Sequence, residues 1–462
     1  MKKISRVLVA NRGEIAVRII KACRELGIES VAAVSEVDKD SMAATLADRV
    51  ICIGPARPAE SYLRADIILC AARGTGSDAI HPGYGFLAEQ PELAELCKQH
   101  GVIFIGPSPE GLRQMGNKLL ARETVRHYSV PVIPGSEMVR DVEEAYGMAE
   151  EMGYPILIKA AAGGGGKGIK FVMGPEELKV TFETAAAEAR AAFGDETLYF
   201  ERFFSNVRHI EVQIVADRFG NVIHVGERDC SMQRRYQKMI EEAPAPSLSK
   251  SRREEMCQAG VTIAKEINYE SLGTVEFIFD QDTNQFYFLE MNTRIQVEHP
   301  VSEMISGIDL VKEQIRIAAD EPLRLSQSEV QLTGHAIECR INAESAELGF
   351  QPCPGRIEQW VEPRGTGIRV DSHCYSGYFI SPFYDSLLAK VITLGTDRSQ
   401  AMERMRSALE NFVVTGIETT IPFLRSILNQ PQVIKGEIHT RWIEHFLERP
   451  PVTERVGRGS VI

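Results

Sequence analysis

No C-x-x-C pair and no zinc-type ligand spacing occurs among the nine cysteines of this 462-residue chain, Cys23, Cys52, Cys70, Cys97, Cys230, Cys257, Cys339, Cys353 and Cys374. An odd, scattered set of this kind excludes a disulfide scaffold or zinc module. It is read as nine reduced thiols, mostly packing residues and none catalytic. Excess basic charge is missing too: 52 Lys and Arg stand against 64 Asp and Glu, for a net charge of −12. That balance excludes a protein that coats nucleic acid, whose binding requires phosphate neutralisation, but leaves room for a local basic pocket. No apolar run is long enough to span a bilayer. Residues 1–6 lead straight into a strand-like Val7-Leu8-Val9-Ala10 with no signal-type apolar region, so a cytoplasmic protein, or the mature form of an organellar one, is expected. There is no internal repeat and no low-complexity block. With 44% hydrophobic and 25% charged residues, the composition is that of an ordinary folded chain. Its length implies two to four domains of roughly 100–200 residues.

Residues 6 to 115 alternate short apolar runs (Val7–Ala10, Ser30–Val34, Ile51–Ile53, Ala79–Ile80, Val102–Pro107) with amphipathic stretches such as 14–26. This α/β texture predicts a parallel, doubly wound sheet, with ligands at the carboxyl ends of strands. The loops Asn11-Arg12-Gly13-Glu14 and His81-Pro82-Gly83-Tyr84-Gly85 follow strands in that way. A second unit, 116–330, contains a smaller αβ segment over about 132–204 and a predicted hairpin, Thr274–Phe279 with Gln285–Glu290, joined through Asp280–Asn284. A third, α+β unit covers 331–447, with a helix over 398–411, and 448–462 reads as a loose tail.

The stretch Lys159-Ala160-Ala161-Ala162-Gly163-Gly164-Gly165-Gly166-Lys167-Gly168-Ile169 satisfies the spacing of a dinucleotide fingerprint. That motif needs a strand before the glycines and a helix after them. The strand Pro155–Lys159 is there, but Ile169-Lys170-Phe171-Val172-Met173 is too short and too β-prone for the helix. A P-loop fails as well, because Lys167 is followed by Gly168 instead of Ser or Thr. What remains is a β-hairpin with a glycine tip and lysines at 159, 167 and 170, the composition of a flap closing over a nucleotide.

Strand geometry puts Glu290 and Asn292 on one face, and Glu276 falls close to opposite Glu290 if the hairpin closes near Thr283. Two carboxylates and an amide oxygen suit magnesium. The same stretch continues as Arg294-x-Gln296-x-Glu298, polar at every second position. Arginine there supplies a fork for a small planar anion, with a carboxylate beside it as general base. Arg340 is a further candidate for that pocket. The run Glu227–Lys238 is dense in charge, as solvated faces usually are, and Lys238, Gln233 and His209 are weaker candidates for reading phosphate.

Taken together, Ala10–Ala16, His81–Gly85, the glycine flap, Glu227–Ser231, Gln233–Arg235, Glu290–Pro300 and Glu338–Asn342 closely resemble the biotin carboxylases, over residues 4 to 447. The resemblance implies an ATP-grasp fold with an N-terminal Rossmann-like domain, a mobile glycine-rich lid and a C-terminal α+β domain. It implies that Lys118 and Lys159 meet ATP phosphates, that Gly165 and Gly166 lie in the lid, and that Glu201, Arg202, Phe203 and Phe204 meet the adenine. His209 and Gln233 fall near the ribose. Tyr236 adjoins the nucleotide where many members carry histidine. Glu276 and Glu290, with Asn292, hold Mg2+ or Mn2+. Lys238, Arg294, Gln296, Val297 and Glu298 surround bicarbonate, while Tyr84 and Arg340 meet biotin.

By the same resemblance Glu298 deprotonates bicarbonate, carboxyphosphate forms from ATP and breaks down to CO2 and phosphate, and phosphate takes the biotin proton while Arg340 stabilises the enolate-like oxygen. Arg294, Glu298, Lys238 and Arg340 thus form the catalytic set. The biotin-bearing Met-Lys-Met signature is missing, so biotin is expected on a separate biotin carboxyl carrier protein. Carboxyltransferase subunits and a homodimeric state are expected alongside, without nucleic acid or membrane. Acetyl-CoA carboxylase, and with it fatty acid biosynthesis, is the first expectation for the whole assembly; pyruvate, propionyl-CoA and other acyl-CoA carboxylases are alternatives. An ATP-grasp carboxylate–amine ligase and a non-enzymatic nucleotide sensor are the competing readings.

Overall fold

The computed structural model describes residues 3–139, 141–161 and 169–448, without the side chains of residues 118, 119, 137 and 193. Gly165, Gly166, Lys167, the side chain of Lys118 and the tail beyond 448 therefore lie outside the described residues.

Strands β1 (Arg6–Val9), β2 (Glu29–Val34), β3 (Arg49–Cys52), β4 (Ala79–His81) and β5 (Ile103–Phe104) form one parallel sheet in the order β3-β2-β1-β4-β5. Alternation decides what each side chain covers. Val7 and Val9 pack with Ile15, Ile19 and Ile20 of α1 (Gly13–Glu25), while Leu8 packs on the other face with Ile68 and Leu93. Helices therefore cover both faces, which is the expected doubly wound arrangement. β1 lies between β2 and β4, so the chain leaves the sheet in opposite directions around it and a crevice opens at the carboxyl ends of β1 and β4. The Asn11 amide spans that crevice, donating to the carbonyls of Pro82 and Tyr84, each at 2.7 Å. Gly83 is required beside it: its φ is +63°, and a Cβ would lie 2.9 Å from the Asn11 amide nitrogen.

The glycine stretch is borne on a separate antiparallel sheet. Strands β6 (Gly135–Val139), β7 (Ile156–Ala160), β8 (Ile169–Val172) and β9 (Leu198–Arg202) take the order β6-β9-β7-β8, covered by α2 (Val142–Met152) and α3 (Pro175–Phe193). β7 and β8 pair from Ile156 opposite Val172 to Lys159 opposite Ile169. The segment after the last glycine is thus the returning arm of a hairpin, as its β-prone residues predict. Ile156, Ile158, Val172 and Phe200 close a small core of their own against Leu178 and Phe182.

Eight of the remaining strands join in one antiparallel sheet, and the short ones between residues 344 and 415 pair off in three two-stranded sheets. The eight are β10 (Val207–Ala216), β11 (Val222–Arg234), β12 (Gln237–Ala243), β13 (Ser271–Asp280), β14 (Gln285–Asn292), β15 (His335–Asn342), β16 (Ile368–Ser372) and β17 (Leu387–Gly395), in the order β14-β13-β10-β11-β12-β15-β17-β16. The sheet runs straight through residue 330, because β12 pairs with β15, setting Ile240 opposite Cys339 and Glu241 opposite Glu338. One side is packed by α4 (Lys250–Glu266), and another stretch by α5 (His299–Ser306) and α6 (Arg398–Asn411). In β15 the alternate residues Ile337, Cys339 and Ile341 enter the core around α6, which turns Glu338 and Arg340 to the opposite face.

Apart from the exposed turn at 235–237, the charge-dense run 227–238 is not a solvated face. Glu227, Arg228 and Asp229 are buried in β11, because covering layers enclose the strand on both sides. Burial is tolerated since each charge has a partner: Arg228 donates to Glu211 at 2.5 Å, Arg208 to Asp229 at 2.9 Å and Arg253 to Glu227 at 2.6 Å. Arg228 also donates to Gln213 and Ser302, at 2.7 and 3.0 Å. Removing one partner of such a pair strands the other, so Arg228→Met is expected to destabilise the fold by about 3–5 kcal/mol. Arg64→Met, at the half-exposed Arg64–Asp66 pair, is expected to leave the midpoint of urea unfolding where it is, so the comparison of the two variants checks the claim.

Candidate active site

A cleft of about 640 Å3 opens where the first sheet meets the eight-stranded one. Asn11, Arg12, Glu14 and Tyr84 enter it from the carboxyl ends of β1 and β4; Tyr236 from the β11–β12 turn and Lys238 from β12; Arg294, Gln296, Val297 and Glu298 from the segment between β14 and α5; and Arg340 from β15. Residues 293–298 are not a strand, as their alternation suggested, but an irregular connection after Asn292. Arg294, Gln296 and Glu298 nevertheless line one wall, because Arg294 donates to Gln296 at 3.0 Å and to the Asn292 amide oxygen at 3.2 Å. The β11–β12 turn has two residues, Arg235 and Tyr236, with φ of 47° and 64°. Both lie in the left-handed region that a tight hairpin of this length demands, which non-glycine residues adopt at a cost of about 1–3 kcal/mol each. The turn leaves Tyr236 exposed at the mouth of the cleft.

At the floor the Lys238 ammonium donates to three carboxylates, Glu211 at 2.6 Å, Glu276 at 3.0 Å and Glu298 at 2.6 Å. Burial alone would favour neutral lysine, but these anions outweigh it and hold the group well above its ordinary pKa. The other oxygen of Glu298 accepts from Arg340 at 2.8 Å, and Arg340 also donates to Glu241 at 2.5 Å. Glu298 therefore bridges an ammonium and a guanidinium at the start of α5. Across the cleft the Arg294 Nε donates to Glu89 at 2.8 Å, and a second Glu89 oxygen accepts from the Thr293 backbone at 3.1 Å. The Tyr84 hydroxyl donates to Glu14, and Glu14 is paired with the fully buried Lys390 at 3.0 Å. Lys390 donates to the Val297 carbonyl at 2.8 Å, which fixes the connection bearing Glu298.

Behind this floor Glu276 lies opposite Glu290 in the β13–β14 pairing, as the sequence predicts, and Asn292 donates to Glu276 at 2.9 Å. His209 Nε2 stands 3.2 Å from Glu276. Burial opposes a charge on both, yet Lys238 and His209 bring Glu276 down to about 2, and Glu276 raises His209 to about 9. His209, Glu211 and Glu276 present ligand atoms within 4.8 Å of one another. Carboxylate oxygens predominate in the Glu276, Glu290 and Asn292 set, which fits a hard divalent cation such as magnesium better than a soft one.

The expected nucleotide residues fall into two places. Lys159 on β7 pairs with Glu201 on β9, which also takes the buried Arg122. Phe203 packs edge-on against Phe171, Phe204 stacks on Tyr287 at 5.1 Å, and Arg202 lies over Phe204. His209 and Gln233 belong instead to the eight-stranded sheet, where Gln233 donates to the Cys230 carbonyl at 2.7 Å. The residues that sequence reasoning missed are the counter-charges: Glu89, Glu211, Arg228, Glu241 and Lys390. Glu211, two residues from His209 on one strand face, and Arg228, inside the charge-dense run, carried a signal; Glu89, Glu241 and Lys390 are set by pairings across distant parts of the chain.

Residues 3–112 match the family described as biotin carboxylase, N-terminal domain, residues 117–326 the ATP-binding domain of the carbamoyl-phosphate synthase L chain, and 338–445 the biotin carboxylase C-terminal domain. Biotin carboxylase 1 of Bacillus subtilis is 52% identical over 96% of this chain and 99% of its own. A pyruvate carboxylase subunit of Methanothermobacter thermautotrophicus is 49% identical over 96% of this chain and 90% of its own. Among solved structures, the biotin carboxylase domain dimer of Hydrogenobacter thermophilus 2-oxoglutarate carboxylase, in complex with magnesium ADP, ADP and bicarbonate, superposes with a TM-score of 0.92 at 48% identity, over 97% of this chain and 98% of that one. With its N-terminal, ATP-grasp and C-terminal parts all matched in order, the chain belongs to the biotin carboxylases, ATP-dependent ligases of biotin-dependent carboxylases.

Proposed function

We propose that the chain carboxylates biotin borne on a separate carrier protein, through carboxyphosphate, as the first half-reaction of a multisubunit carboxylase. The observation that carries this reading is Glu298, a buried carboxylate bridging Lys238 and Arg340 across the cleft from the Arg294 fork. Bicarbonate is planar and anionic, so it suits the Arg294 guanidinium, with Gln296, the Val297 backbone and Lys238 around it. Glu298 is then placed to take the bicarbonate proton, making the oxygen nucleophilic toward the ATP γ-phosphate. Lys159 and Lys238 neutralise charge that develops during transfer. Glu276, Glu290 and Asn292 would hold magnesium, which when bound neutralises phosphate charge. When carboxyphosphate breaks down, the phosphate produced takes the biotin proton, and Arg340 steadies the oxygen of the resulting anion beside Tyr84. Glu201, Arg202, Phe203 and Phe204 are assigned to the adenine, His209 and Gln233 to the ribose, and Tyr236 to the nucleotide edge.

Acetyl-CoA carboxylase is our first assignment for the assembly. Relatives named for pyruvate and 2-oxoglutarate share the fold at similar identity, so reconstitution with candidate carboxyltransferases decides the acceptor. A homodimer is expected on the pattern of the Hydrogenobacter domain, and light scattering should give twice the 51.4 kDa of one chain.

ATP cleavage is expected to require bicarbonate and to rise with free biotin; cleavage indifferent to bicarbonate would favour a carboxylate–amine ligase. Glu298→Gln should retain ATP binding by calorimetry and lose roughly 10²–10⁴-fold in bicarbonate-dependent turnover, as expected for loss of a general base. Glu89→Gln, which withdraws the charge that aims Arg294, should raise the KM for bicarbonate roughly tenfold, the worth of one charge-assisted hydrogen bond, while the KM for ATP stays put.

A further inference from the structure

Arg340 emerges from the sheet beside a pair of carboxyls that the reaction does not use. Glu241 on β12 and Glu338 on β15 occupy directly opposed positions of adjacent strands. Opposed residues project to the same face with Cβ atoms roughly 5 Å apart. Both are fully buried. Glu241 spends one oxygen on Arg340, at 2.5 Å. Its other oxygen and both oxygens of Glu338 have no hydrogen-bond partner among the described residues. Two carboxylates so placed in a sealed, low-dielectric layer resist ionising together, which favours retention of one proton by the pair.

The charged and titratable groups facing them come from every packed element. Arg340 stands on β15 itself, Lys238 on β12, Lys390 on β17, Glu298 at the start of α5 and the buried Cys230 thiol on β11. Lys390 is already engaged by Glu14 and by the Val297 carbonyl, so it donates to neither member of the pair. Burial, reinforced by the neighbouring carboxyl, holds Glu338 well above the ordinary range despite Lys390. Burial likewise lifts Glu241 to about 7, against the pull of Arg340.

We propose that Glu241 is a positioning residue for Arg340 and that Glu338, retained as the neutral acid opposite it, limits the pair to one negative charge, so that the guanidinium is shared with Glu298 and aimed into the cleft. If the second proton leaves as pH rises, two anions lie under one guanidinium and draw it toward the sheet, away from Glu298 and from the biotin oxygen. The step that uses Arg340 should therefore fail on the alkaline side. ATP cleavage that stops at hydrolysis of carboxyphosphate makes no use of that aim and should not. This inference rests on the assignment of Arg340 to the biotin end of the reaction.

The test compares bicarbonate-dependent ATP cleavage with and without free biotin, from neutral to alkaline pH, in the full-length wild type, Glu241→Gln and Glu338→Gln. Glu241→Gln is expected to lower the biotin-stimulated rate roughly tenfold to a hundredfold, the scale of a misplaced catalytic group, and to raise the KM for biotin. Its biotin-independent rate and KM for ATP should stay within about twofold, since a merely structural loss would lower both rates together. Glu338→Gln reproduces the neutral acid, so it should keep the neutral-pH rate and lose the alkaline fall. Equal loss of both activities in Glu241→Gln, an unchanged biotin-stimulated rate, or a wild-type alkaline limb in Glu338→Gln would each overturn the proposal. Should Glu241→Gln fail to fold, the alkaline limb of Glu338→Gln decides alone. A wild type that ignores bicarbonate or biotin would instead defeat the functional reading beneath it.

Discussion

The ammonium of Lys238 is the charge on which the site depends. Three carboxylates from three different segments meet there: Glu211 of β10, Glu276 of β13 and Glu298 ahead of α5. Without it they would repel one another at close range in a medium far less polar than water. A buried ion cluster is weak evidence for stability, since desolvation offsets much of the attraction. Its consequence is placement. Each carboxylate has one position in which it reaches the shared cation, so the strands, and the connection leading to α5, are held in register around a single point.

That point exists because one sheet serves two parts of the chain. Lys238 and Arg340 are about a hundred residues apart in sequence, yet β12 and β15 are adjacent strands, and both cations reach the same carboxylate. Had the third part folded as an independent body, Arg340 would depend on a domain interface for its place. As a ladder neighbour it inherits the precision of backbone hydrogen bonding. The first sheet contributes differently. Its strand ends bring Glu14, Tyr84 and Glu89 against the cleft, where they steer cations belonging to the second sheet: Glu14 holds Lys390 and Glu89 holds Arg294.

Much of this was legible in the chain. Short, β-prone runs located β7, β8, β13 and β14, and the opposition of Glu276 to Glu290 followed from hairpin length. The absence of a helix after Ile169 disposed of the dinucleotide reading on local propensity. The run 227–238 misled because charge density was read as solvation, whereas solvation depends on what covers a strand, and Arg208, Glu211 and Arg253 lie outside the run. The alternation in 294–298 misled in the opposite way: the residues converge, but through the Arg294–Gln296 and Lys390–Val297 contacts of an irregular segment rather than through a pleat. Glu89, Glu241 and Lys390 carried no local signal, since a counter-charge is defined by its distant partner.

Among the described residues, every cation offered to the cleft is already paired. Arg294 lies with Glu89, Arg340 with Glu241 and Glu298, Lys238 with its three glutamates, and, on the separate sheet, Lys159 with Glu201. An incoming anion therefore exchanges partners with protein carboxylates instead of meeting a bare charge. The desolvation of these cations was met when the chain folded, so binding is charged only with displacing a carboxylate contact, and the net gain is smaller than the raw attraction. What the exchange supplies is selectivity. A ligand must match the geometry the carboxylates already satisfy, as a planar anion does beside the Arg294 fork. On the proposed function, a carboxylate displaced from its cation, as Glu298 would be if bicarbonate took up Lys238, is also the one best placed to accept a proton from the newcomer.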